Sequence, residues 1–150
     1  MSTLKSNLYQ LCLTFIQKRI ENITYSMEQA RQASNDDTKS SAGDKYETTR
    51  EMMQQEISRN QMQLHEAGKL KHALEAINPN TTSNEVKNGS LVITNTGNFY
   101  ISVSAGQLKI NDITYFAVSP FSPIAKVLMG LKTGQKTSFN GKDMIIQNIM

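Results

Sequence analysis

Few groups in this chain could do chemistry. Asp36 and Asp37 adjoin, Asp44 follows, and Lys39 and Lys45 sit among them. Read on their own, Asp36 and Asp37 solvate a turn, and Asp44 caps a helix start, where a carboxylate is favoured. Lys39 and Lys45 equally meet RNA phosphates or balance the neighbouring acids. Cys12 is the only cysteine, which rules out an intrachain disulfide and a cysteine metal cluster and agrees with a reducing compartment. A lone Cys with two His suggests a thiol nucleophile. However, Cys12 lies inside an apolar helical stripe and reads as a small buried hydrophobe. His65 and His72 are two helical turns apart, about 10 Å, too far to hold one metal, and read as exposed polar positions.

The elements that must position these groups divide the chain. The first 77 residues contain no proline, and their only glycines are Gly43 and Gly68. Leu4, Leu8, Leu11, Phe15, Ile16, Ile20, Ile23, Met27 and Ala30 predict one apolar stripe at a heptad-like period. Met53, Ile57, Leu64, Ala67, Leu70, Leu74 and Ile77 predict a second, with Asn60 filling one seam position. Met52 and Met62 read as further hairpin packing. Two such helices joined by a short polar turn pair antiparallel. The turn is expected within Ser34–Asp44, with Ser41 and Asp44 as a capping box.

Asn78-Pro-Asn-Thr-Thr-Ser-Asn84 predicts the linker, because Pro and Asn end helices. Beyond it, β-branched and aromatic runs predict strands at 90–94, 99–104, 107–110, 114–119, 136–139 and 144–149. Asn140-Gly141 is a strong hairpin signal. Pro123–Met129 predicts a short helix with Ser122 as its N-cap and Gly130 near its end. The fold class is therefore α+β: an antiparallel helical coiled-coil hairpin over 1–77, a linker over 78–84, and an antiparallel sheet domain with one short helix over 85–150.

Net charge is +3, and its distribution matters more than its size. The first 77 residues balance ten Lys/Arg against ten Asp/Glu, whereas the rest hold six Lys against Glu85, Asp112 and Asp143. Such a modest excess allows contact with nucleic acid or an acidic surface without making a DNA-binding domain. No run of apolar residues resembles a signal peptide or a membrane span, so a cytoplasmic protein is expected.

Ser119-Pro-Phe-Ser-Pro-Ile-Ala-Lys-Val-Leu-Met-Gly-Leu-Lys-Thr-Gly-Gln135 resembles the signature segment of the Gre-type transcript cleavage factors. In that family Ser-Pro-Ile-Ala-Arg-Ala-Leu, an aliphatic residue and Gly-Lys precede a Gly-Asp turn. Ser122 through Gly130 match almost position by position, while Leu131 and Gln135 depart from the pattern. Asp37-Thr-Lys-Ser-Ser-Ala-Gly-Asp-Lys-Tyr46 resembles the family's hairpin tip, with one residue extra. Asp37, Lys39, Ala42 and Tyr46 find counterparts, whereas the family's second tip acid falls on Ser40.

The resemblance implies an FKBP-like sheet domain that docks on the rim of the secondary channel of RNA polymerase. Ser122, Pro123 and Lys126 belong to its signature segment, and Lys39 and Lys45 flank its tip. These five are the expected partner-binding residues. The tip carboxylates Asp37, Asp36 and Asp44 would act on catalysis, with Asp37 and Asp36 holding a second Mg²⁺ in the polymerase's own active site. Two metals stabilise the attacking and leaving oxygens of phosphodiester cleavage. On this reading the chain has no cofactor of its own, is no nuclease alone, and meets nascent RNA only indirectly. With Ser40 in place of the second acid, either Asp36 or Asp44 substitutes, or the protein occupies the channel without stimulating cleavage. An FKBP-like peptidyl-prolyl isomerase or chaperone is the alternative, and a coiled-coil adaptor is another. The isomerase needs an aromatic-lined pocket, which the sequence, lacking Trp, does not let one assemble.

Overall fold

The computed structural model describes residues 3–40 and 44–150, and side chains at 3–33 and 47–150. The element order is α1 (Thr3–Ser40), α2 (Asp44–Glu75), β1 (Leu91–Thr94), β2 (Asn98–Ile101), β3 (Gly106–Ile110), β4 (Ile113–Val118), α3 (Pro123–Leu128), β5 (Lys136–Phe139) and β6 (Lys142–Ile149). This is the expected α+β class: a long helical hairpin, then a six-stranded sheet with one short helix. Two units emerge. One is Ile16–Leu70, and the other joins Met1–Phe15 to Lys71–Met150.

The first unit is the pair of α1 and α2 stretches. Ile16, Ile23, Met27 and Ala30 are buried on one, and Ile57, Asn60 and Ala67 on the other, at steps of three, four and seven. That spacing keeps one face inward along a helix. Met53 is half-buried, but Met52 and Met62 are exposed, so these two methionines are not hairpin packing. α1 runs on through Ser34–Ser40, where a turn was expected. Asn, Asp, Ser and Thr cost only about 0.7 kcal/mol or less per residue in a helix already nucleated. Among the described residues, α1 ends at Ser40 and α2 begins at Asp44. Ser41 of the expected capping box lies outside the described residues, while Asp44 does open α2.

In the second unit the strand order is β3-β4-β2-β1-β6-β5. The neighbours pair antiparallel except β2 and β4, which run parallel, with Tyr100 opposite Ala117. The sheet is thus mostly antiparallel, as expected, with the β2–β4 pair as its one parallel exception. β3 goes out to the edge and β4 returns between it and β2, so β4 enters in the direction of β2. Asn111 (φ 51°) and Asp112 (φ 63°) make the tight β3–β4 turn, and Asn140 (φ 52°) with Gly141 (φ 77°) makes the β5–β6 turn. Two consecutive positive φ angles match the twist of the flanking strands.

Alternation along the strands gives the sheet two buried faces. Val92, Ile101, Met144 and Ile146 pack with Ile124, Ala125 and Leu128 of α3. Tyr100 and Ser102 point the other way. Ser102 Oγ lies 3.8 Å from Cys12 Sγ of α1. Leu8, Cys12 and Ile16 form the buried stripe of α1, and Lys5 joins it at 2% exposure. Leu11 (36%) and Phe15 (39%) are exposed, contrary to the predicted stripe. The inward face follows the four-residue steps 8-12-16, which turn Leu11 and Phe15 outward. The 78–84 segment is tied down. Asn78 Oδ1 accepts from Asn80 N (2.9 Å), and Lys5 Nζ donates to Thr81 O (2.7 Å).

Candidate functional site

The signature-like segment is a pinned corner. Ser119 Oγ accepts from Phe121 N (3.1 Å), and Ser122 Oγ donates to Ser119 O (2.6 Å). The same Ser122 Oγ accepts from Ala125 N (3.3 Å), so Ser122 is the N-cap and Pro123 the first residue of α3, as the spacing predicts. Gly130, at φ 80°, ends the helix by donating to Val86 O (2.8 Å). Gln135 stands where the family pattern has Asp. Its Oε1 accepts from Lys132 N (2.7 Å) and its N–H donates to Lys132 O (3.0 Å), so this departure leaves the turn closed.

What the corner presents outward is Phe121, Pro123 and Lys126. Phe121 is 82% exposed, the most exposed of the large apolar side chains among the described residues. Pro123 and Lys126 are exposed and three apart on α3, hence on one side of it. Phe121 is absent from the sequence-derived set. Nothing in its local pattern separates an exposed Phe from one of the sheet's core aromatics.

At the hairpin's closed end, Asp36, Asp37 and Lys39 fall in the last turns of α1, and Asp44 and Lys45 in the first turn of α2. Their side chains lie outside the described residues. Position alone carries one argument. A helix C-terminus carries partial negative charge, so an acid there costs about 0.3–1 kcal/mol, whereas an acid at an N-terminus gains as much. By position alone, the helix dipole favours an acid at Asp44 and disfavours acids at Asp36 and Asp37. No cluster of metal-ligating side chains occurs among the described residues.

Beneath the α3 face the structure assembles what the sequence did not suggest: a cavity of about 330 Å³ walled by Phe99, Phe116, Val118, Ile124, Phe139 and Met144. The Phe99 and Phe116 rings stack, with centroids 5.8 Å apart and planes at 29°. The expectation that Phe and Tyr alone form no aromatic-lined pocket is thus corrected. Three rings from β2, β4 and β5 converge there, although they lie far apart in sequence.

The described histidines are exposed, as expected. Cys12 is fully buried, and burial pushes its thiol up to about 11 against a smaller downward pull from the Ser102 hydroxyl. A thiol that stays protonated is no nucleophile. No helix among the described residues is long and apolar enough to cross a membrane.

No family model matches this chain, and no curated protein matches it. Among solved structures, one described as the structure of the transcription factor Gfh1 is similar at 16% identity. The match covers 89% of this chain and 90% of that one, with a TM-score of 0.35. A likeness that weak says nothing of what this chain binds.

Proposed function

We propose that this chain is an RNA-polymerase-binding elongation factor of Gre type, in which the hairpin carries acids to the polymerase's active site and the sheet unit grips its outer rim. The observation that carries the reading is the closed end of the hairpin. α1 ends at Ser40 and α2 begins at Asp44, so Asp36 and Asp37 lie in the last turns of one helix and Asp44 opens the next, which gathers three acids at one end of the hairpin. The resemblance of Ser122–Gly130 to the family's signature segment supports it. So does the exposure of Phe121, Pro123 and Lys126, which offers a rigid apolar and cationic docking corner. Carboxylate oxygens fit Mg²⁺, and Ser40, whose hydroxyl is a poorer ligand, leaves Asp37 with Asp36 or Asp44 as the donor pair. The Mg²⁺ would belong to the polymerase and assist phosphodiester cleavage, and this chain would only orient the ligands.

The test uses core RNA polymerase and a stalled elongation complex. The wild-type chain is expected to be retained by polymerase and to shorten the transcript in Mg²⁺. Asp37→Ala should keep the retention and lose the shortening. Failure of the wild type to bind sinks the reading as a whole, and unchanged shortening by the variant sinks the role of Asp37.

The aromatic cavity favours one second reading, a sheet unit that binds a prolyl segment and isomerises it. Turnover of a short proline peptide, lost in Phe116→Leu, would establish that reading, and no turnover removes it.

A further inference from the structure

We infer that the cavity walled by Phe99, Phe116 and Phe139 is a binding site for a compact apolar ring carrying one anionic group. The inference is independent of the polymerase reading. At about 330 Å³ the cavity has the size of a small-molecule site, and its walls are apolar. The walls are also fixed in place. Thr94 Oγ1 accepts from Gly97 N (3.0 Å) and Thr96 N (3.2 Å) and donates to Gly97 O (2.7 Å), which locks the β1–β2 turn over the rings. Gly97 packs close to the rings, where a Cβ would come within 3.3 Å of Phe99 and press on it. A cavity held open this way needs no ordering when a ligand enters, which removes one cost of binding.

The rim sets the charge of the ligand. It is made of Thr96, Asn140 and Lys142, and Lys142 is the one ionisable residue lining the cavity. Phe139 and Lys142 are paired across the β5–β6 hairpin. Side chains paired in that way stand about 4.5–5.5 Å apart at Cβ, so an aromatic wall and an ammonium group adjoin. Asp143, the next residue along β6, points to the opposite face and does not neutralise the lysine. A ring lying on Phe139 can therefore present a carboxylate or sulfonate to Lys142, while the amide of Asn140 and the hydroxyl of Thr96 remain for further hydrogen bonds. A cation would meet Lys142 head on and is excluded.

The test is a titration of the full chain, followed by the NMR signals of the Met144, Val118 and Ile124 methyls. The probes are 2-naphthoate and its uncharged counterpart, 2-naphthylmethanol. The naphthoate is expected to shift those three signals and to bind at least tenfold more tightly than the alcohol. Lys142→Met should erase that difference and leave alcohol binding as it was. Phe116→Leu should weaken both probes, and an unchanged methyl spectrum elsewhere would show that the variant is folded. Wild-type signals that stay still, equal affinity for the two probes, or undiminished naphthoate binding by Lys142→Met would overturn the assignment. Retention by polymerase, measured separately on Lys142→Met, keeps a failure here distinct from a failure of the elongation-factor reading.

Discussion

Individual side chains in the sheet unit do unequal amounts of structural work. Ser122 satisfies a helix donor and also bridges back to Ser119. Replacing an N-cap serine by alanine costs about 1 kcal/mol, so Ser122→Ala should lower the melting temperature by several degrees, while Ser122→Asp, which can cap the helix but cannot donate to Ser119 O, should not restore the wild-type value. Tyr100 differs. It is fully buried, and its hydroxyl meets no hydrogen-bond partner among the protein groups around it. Burial and the neighbouring Cys12 and Tyr9 push its ionisation far above the usual range. Removing an unsatisfied hydroxyl while keeping the ring is close to neutral or stabilising. Tyr100→Phe should therefore melt at or above the wild-type temperature, and a clear drop would mean that the hydroxyl is bonded after all. Cys12 gives a prediction in pH. Burial raises its thiol from the ordinary 9.0 to about 11 in the folded chain. The folded state holds the proton longer, so stability is unaffected below pH 9 and falls as pH rises toward 11. The slope is about 1.4 kcal/mol per unit, readable by urea unfolding at a series of pH values, and Cys12→Ala should flatten it. The burial of Cys12 was legible in the sequence because it shares the stripe of Leu8 and Ile16. The exposure of Leu11 and Phe15 was not, because apolarity alone cannot choose between the 11-15 and 12-16 diagonals of one helix.

Among the elements, the hairpin contains a deliberate flaw. Asn60 is buried in the seam at 4% exposure with its Nδ2 unpartnered. A polar residue at such a position fixes the register of paired helices at a cost in stability. Asn60→Leu should raise the melting temperature. It should also broaden the register, seen as a second set of amide signals from 16–33, and a lower melting temperature would contradict this account. Local elements were the most legible. The Asn140-Gly141 turn, the β5 span Lys136–Phe139 and the Ser122-Pro123 helix start all follow from backbone chemistry of a few residues. The parallel pairing of β2 with β4 and the convergence of Phe99, Phe116 and Phe139 depend on contacts distant in sequence, which no short window encodes.

For the molecule as a whole, the second unit is assembled from both Met1–Phe15 and Lys71–Met150. The boundary near residue 78 read from composition separates residue types, but Ile77 lies against Gly89, where a Cβ would come within 3.1 Å of Ile77 Cγ2. Cys12 faces Ser102, and Lys5 reaches Thr81. A fragment beginning at residue 78 loses Leu8, Cys12, Leu74 and Ile77, all buried in the full chain. Such a fragment should bind a hydrophobic dye and lack a cooperative thermal transition, whereas cooperative melting of 78–150 would show that the sheet stands without its helical cover. The same construction constrains how the protein is made. A ribosome releases Leu8 and Cys12 well before the strands that enclose them, and at about 5–20 residues per second those side chains wait roughly 7–27 seconds for the last strand. Until the carboxyl end arrives, the apolar stripe of the newborn amino-terminal helix has no sheet to cover it.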